Sequence, residues 1–279
     1  MTVRNATNTV MLSLMWLAAA IVLLPLVLIL GQLIVNGATS VNWQFFTQVA
    51  PPPGGTGGGM SNAIVGTAIL LTVASVVGFP IGIGAGIYLA EHSGARLANA
   101  VRFLADVLNG VPSVVTGIFA WQVLVRPVGH FTAWAGGVAL GTMMIPLAAR
   151  TTEEMILAVP NSLREAALAL GYTNWRTSLQ IVTRTALPGI VTGALVALAR
   201  VAGETAPLLF TALGNIFMSV DPSKPIAALP LNIYFYGVSP YDDWHRLAWA
   251  ASLVLIGLLL LISLGARYAA RPNFGKAVD

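Results

Sequence analysis

The 279-residue chain contains no cysteine. That absence excludes disulfides, thiolate metal sites and a cysteine nucleophile. Charge is scarce as well. Only 9% of residues are Asp, Glu, Lys or Arg, against about 25% in an average soluble domain. His92, His130 and His245 lie in three separate loop-end regions and make no ligand spacing, so no metal site is expected. The net charge of +4 is small, and no basic stripe with interleaved aromatics points to nucleic acid. No Walker A loop is present, because Gly275-Lys276 lacks both the upstream glycine and the following hydroxyl. Neither His-Glu-x-x-His nor Gly-x-Ser-x-Gly occurs. An enzyme is therefore not expected, and no cofactor is expected in this chain.

What is abundant is apolar surface, 57% of the residues. Six runs read as membrane-spanning helices: Met11 to Val35, Ser61 to Ala90, Leu97 to Val125, Phe131 to Leu157, Thr185 to Gly214 and Arg246 to Tyr268. The first is longer than a signal-peptide core of about 7 to 15 residues, so it is expected to be retained. The fold class is all-α, one polytopic bundle. Residues 1–60 form a first span and an outer loop, whose triproline Pro51 to Pro53 and following glycines read as a linker. Residues 61–268 form the core, with a polar loop at 158–184, and residues 269–279 a polar tail. The apolar segment Ile226 to Tyr236 is too short to span and reads as an interfacial or re-entrant piece. Asp242 or Asp243 is placed to cap the last span.

Lysine and arginine set an orientation. Arg4, Arg96, Arg102, Arg150, Arg164, Arg176, Arg184, Arg267, Arg271 and Lys276 fall on one side of the six spans, and Arg126, Lys224 and Arg246 on the other. Both termini are then cytoplasmic, and so is the loop at 158–184.

Within the spans, Gly78, Gly82 and Gly86 recur every four residues and share a face. Small residues at that spacing let helix backbones pack closely in lipid, within the chain or against a partner. At the cytoplasmic end of the third span, Arg102 and Asp106 are one turn apart and able to pair. Gly110, Pro112 and Ser113 break the third span. Such a break either lines a polar path or is a structural kink.

Arg200 and Glu204 are the only convergent titratable groups inside the spans. A buried arginine there costs on the order of 2.5–3.5 kcal/mol on insertion scales and marks a pathway or a pair. Four residues apart, the two either satisfy each other, or Arg200 presents its planar donor fork to an oxyanion while Glu204 moderates the field. Thr205 is a further candidate donor, and Gly203, Ala206 and Pro207 are expected to shape the backbone.

The polar loop carries its own pattern. Ser162 followed by Glu165 fits a capping box. Leu163, Ala166, Ala167 and Leu170 share a helical face thinned by alanines, and Gly171 ends the helix. Glu165-Ala166-Ala167, three residues, Gly171, nine residues, Ile181 resembles the EAA loop of ABC-importer permeases. That family usually continues Ile-x-Leu-Pro. Here Thr183-Arg184 stand in the Leu-Pro positions, and Leu187-Pro188 follow one turn later.

Ala199 to Phe210 resembles the fifth-helix signature of the PstA family of phosphate-specific permeases, and Asp106 to Phe119 its third-helix region. The resemblance runs from about Ser61 to Arg267. It implies a MetI-like bundle in the bacterial inner membrane that imports inorganic phosphate. Ser162, Glu165, Ala166, Ala167 and Gly171 would belong to a coupling helix docked on an ATPase, and Arg200, Glu204 and Thr205 to the substrate path. The implied partners are a second permease (PstC), an ATPase dimer (PstB) that holds ATP and magnesium, and a phosphate-binding protein (PstS). An ABC permease for molybdate or sulfate is the alternative. An ion-coupled secondary transporter leaves the EAA pattern unexplained, and an intramembrane enzyme would need turnover by this chain alone.

Overall fold

The structure, a computed structural model, describes residues 2–55 and 57–269, so all of the expected tail but Ala269 lies outside it. In chain order the helices are α1 (Thr2–Gly37), α2 (Trp43–Thr47), α3 (Ser61–Glu91), α4 (Arg96–Gly110), α5 (Ser113–Ala120), α6 (Ala133–Leu157), α7 (Asn161–Ala169), α8 (Asn174–Arg176), α9 (Thr183–Ala202), α10 (Ala206–Thr211), α11 (Leu229–Gly237) and α12 (Asp242–Ala269). π-Helical turns at Trp121–Val125 and Thr177–Val182 extend α5 and join α8 to α9. No β-strand occurs among the described residues, and the fold is all-α as expected.

The centre of the bundle is the pair α3 and α6, which run parallel. A Cβ added at Gly78 would lie 3.0 Å from the Gly141 carbonyl, one at Gly82 2.9 Å from the Ile145 carbonyl, and one at Gly86 2.5 Å from the Ala149 carbonyl. The four-residue glycine spacing thus packs against this chain's own α6, not a partner. Gly141 of α6 answers with a 3.0 Å approach to the Ala74 carbonyl. Without side chains between them, the backbones come close enough to gain dispersion contacts that lipid tails cannot supply. Replacing Gly86 by Leu is expected to destabilise the bundle by about 1–3 kcal/mol. The readout is the amount of folded protein in the membrane, with Gly84→Leu, which has nothing within 4 Å, as the unaffected control.

Around this pair sit α9, antiparallel to α6 with Gly193 against Thr151, and α12, which carries α1 on its outer side. The first amides of α6, which a helix start leaves unpaired, are met from the loop after α10: Ala133 N–H donates to the Lys224 carbonyl (3.0 Å) and Trp134 N–H to that of Pro222 (3.1 Å). The segment before and within α11, expected as an interfacial or re-entrant piece, is buried from Ile226 through Asn232 and pinned where Leu229 N–H donates to the Thr67 hydroxyl (2.9 Å). The proline-glycine linker is less free than its composition suggests. Phe45 of α2 and Met60 are fully buried, and the Trp244 indole donates to the Pro51 carbonyl (3.3 Å).

Several expectations need correction. Among the described residues four helices are long and apolar enough to cross a membrane, or five if the bent pair α4–α5 is one span. The expected count of six is not reached on that measure, because α6 is long enough but rich in glycine, threonine and, at its end, charge. The third span is bent by 102° between α4 and α5. The fifth ends at Ala202 rather than Gly214, since Gly203 caps it and α10 starts separately. Arg102 does not pair with Asp106, which is exposed. It reaches Glu153 of α6 at 2.7 Å instead, because Glu153 is almost fully buried and needs a counter-charge. Asp242 and Asp243 lie in the first turn of α12, where carboxylates oppose the positive helix end.

Candidate functional site

The end of α9 carries the first cluster. Arg200 sits in its last turn, roughly 25 Å along the axis from Thr183 at 1.5 Å per residue. Gly203 then ends the helix, and Pro207 enters α10 at its second position. A proline four residues after Gly203 has no N–H to offer the Gly203 carbonyl and clashes with it, so one helix cannot run through both. This break removes the alternative in which the two residues satisfy each other. Glu204 has left the helix, and no hydrogen bond or ion pair from a described residue reaches the side chain of Arg200 or Glu204. Arg200 is exposed and Glu204 half-buried. Thr205 turns its hydroxyl towards the Pro230 carbonyl of α11 at 3.5 Å, at the limit of a hydrogen bond.

The second break lies beside the first. A Cβ at Gly117 of α5 would come within 2.7 Å of Pro207 Cα and 3.3 Å of the Ala206 carbonyl. Only glycine permits that approach, and it sets α5 directly against α10. The break that contains Gly110, Pro112 and Ser113 opens immediately before α5, with Gly110 and Pro112 exposed and Ser113 half-buried. Two interrupted helices therefore meet, with an exposed guanidinium at the end of one. Interrupted backbone at membrane depth is tolerated where it lines a cavity or is covered by protein.

At the other end of the bundle is α7. Its start differs from the expected capping box. Pro160 occupies the cap position, so Ser162 and Glu165 lie inside the helix, both exposed and without a capping bond. A proline with extended ψ starts the helix one residue before Ser162 can act as cap. The end is as expected. Gly171 has φ +86°, Gly171 N–H donates to the Leu168 carbonyl (3.0 Å) and Tyr172 N–H to that of Ala167 (3.1 Å), a Schellman ending. Of the expected apolar face only Ala167 is buried. Leu163 and Ala166 are exposed, and Leu170 is 80% exposed. The loop's exit is also helical. Without a proline at position 184 the chain passes through a π-helical turn straight into α9.

The family described as binding-protein-dependent transport system inner membrane component matches residues 82–271. The chain is 45% identical over 243 residues to the phosphate transport system permease protein PstA of Yersinia pestis, covering 87% of this chain and 82% of that protein. It is 44% identical over 265 residues to the PstA protein of Pasteurella multocida, covering 95% and 94%. This chain belongs to the PstA family.

PstA-family membership makes it a multi-pass membrane permease of the ABC-transporter class rather than an enzyme. The bundle is also similar to a chain of the MetNI methionine ABC transporter in an inward-facing conformation. That match has a TM-score of 0.62 at 24% identity and covers 76% of this chain and 96% of that one. It shows the MetI-like fold.

Reading the sequence missed the long-range ion pairs. Arg102 and Glu153 are 51 residues apart, and the nearer Asp106 drew the pairing. No local signal singled out Glu153, because Arg150 on its own helix pairs with exposed Glu154 at 3.2 Å and also lies 3.8 Å from Glu153.

Proposed function

We propose that this chain is the permease subunit of an ATP-driven phosphate importer, and that it forms the translocation path together with a second permease. The observation that carries this reading is Arg200. It is an exposed guanidinium near the end of a membrane helix, with no bonded partner among the described residues, beside two helix breaks. Such a group needs either a partner chain or a polar path with an anion. A guanidinium binds phosphate oxygens through paired donors. Glu204 keeps the local field from trapping the anion, since conduction needs binding weak enough for release. Thr205 and the break at Gly110, Pro112 and Ser113 belong to the same path.

Leu163, Ala166 and Leu170 on α7 are the surface for a cytoplasmic ATPase, with Gly171 ending the helix where the surface ends. In this reading residues 61–268 are the core, 158–184 its coupling loop, 1–60 an N-terminal span with an external loop, and 269–279 a cytoplasmic tail. Both termini are cytoplasmic and the membrane is the bacterial inner membrane. The partners are those the family's system implies: PstC, a PstB dimer that holds ATP and magnesium, and PstS. ATP-driven closure of the ATPase would move α7, rock the bundle and open the path to the other side.

Competition tests the substrate. A hundredfold excess of unlabelled phosphate is expected to abolish labelled phosphate uptake, and the same excess of sulfate or molybdate to lower it less than about twofold. Equal competition by sulfate or molybdate would make this a general oxyanion permease.

A further inference from the structure

At the α7 end of the bundle, two arginines converge on the last turn of α3. Arg102 of α4 donates to the Leu89 carbonyl (3.0 Å), the Ser93 carbonyl (3.2 Å) and Glu153 of α6 (2.7 Å). That knot binds α3, α4 and α6 into one body. Arg164 of α7 makes a different link. Its Nη1 donates to both carboxylate oxygens of Glu91, at 2.7 and 3.0 Å.

The second link bridges a gap. A groove of about 500 Å³, lined by Ile87, Glu91, His92, Arg164, Leu168 and Asn174 among others, lies between α7 and the end of α3. α7 buries only Ala167. Among the described residues no other side-chain hydrogen bond or ion pair joins α7 to a bundle helix. Along the chain α7 is held to α6 through Ala158, Val159 and Pro160, and to α9 through residues 170–173, α8 and the π-helical turn on which it packs. Neither connection reaches α3. The ion pair adds that third attachment, and it turns a hinged loop helix into a lever.

We propose that the Glu91–Arg164 pair is the strut that makes α7 move as one body with α3 and α6. This rests on the reading of α7 as the ATPase-docking helix, and it adds the route by which a push on α7 enters the membrane. Through the glycine face of α3 the displacement passes to α6, and through Arg102 to α4 and the bent segment that follows. Glu91 and Arg164 are then positioning residues, which touch neither substrate nor nucleotide.

The test uses the assembled transporter in vesicles and reads phosphate transported per ATP hydrolysed. Glu91→Arg and Arg164→Glu are each expected to lower that ratio at least about tenfold while ATP hydrolysis continues. The swapped double variant is expected to recover to within about threefold of the parent, as a direct pair requires. Single variants with the parental ratio, or a swapped double that assembles yet recovers nothing, would overturn the strut. Should charge reversal prevent assembly, Glu91→Gln and Arg164→Gln replace it. There, equal losses in either single and the double support the strut, and additive losses overturn it. Failure of the underlying reading looks different. Ala166→Trp would then leave ATPase association and uptake intact, and α7 would have no push to transmit.

Discussion

Phosphate uptake by a transporter carrying Arg200→Ala is expected to fall about ten- to hundredfold, with membrane assembly and ATPase association unchanged. The magnitude is that of a charge-assisted contact of about 1.5–3 kcal/mol. Assembly is expected to survive because no hydrogen bond or ion pair among the described residues depends on this side chain. Arg200→Lys is expected to fall between the two, since an ammonium keeps the charge but lacks the planar fork. Parental uptake by the alanine variant in an intact complex would place Arg200 off the path.

The second large effect is expected at α7. Ala166 is exposed and follows directly on Glu165. Trp at this position leaves the chain's own packing untouched, and exposed substitutions of that kind usually change stability by less than about 0.5 kcal/mol. It would, however, hold a partner groove away from the thinnest part of the helix. Retention of the ATPase on purification is expected to fall about thirtyfold, as for an interface anchor worth about 2 kcal/mol, and uptake to fall with it. Full retention of the ATPase would remove α7 from the interface.

These expectations draw on different depths of legibility. The glycine face of α3 was readable because its four-residue period is local, and the same period fixes which backbone atoms meet on α6. The ending of α7 was readable because a glycine in left-handed conformation is a local requirement. Arg200 and Glu204 were found, but whether they pair could not be read. Spacing alone puts them on one helical face, but Gly203 and Pro207 together forbid the helix that spacing assumes. The third span shows the same limit. Gly110 and Pro112 announced a break, but not its 102° angle, which tertiary packing sets through Gly117 on Pro207. Arg102–Glu153 and Arg164–Glu91 were beyond reach, since nothing in the sequence ranks a distant carboxylate above a near one. Phe45 and the Pro51 carbonyl show that a segment with linker composition can still be held by the bundle.

The most direct measurement is labelled-phosphate uptake into sealed vesicles that hold this chain with its second permease and ATPase. The phosphate-binding protein is supplied on one side and ATP on the other. Uptake is expected only with ATP, unchanged when ion gradients are collapsed, and lowered about ten- to hundredfold by Arg200→Ala. Uptake driven by an ion gradient in the absence of ATP would contradict an ABC-type phosphate importer.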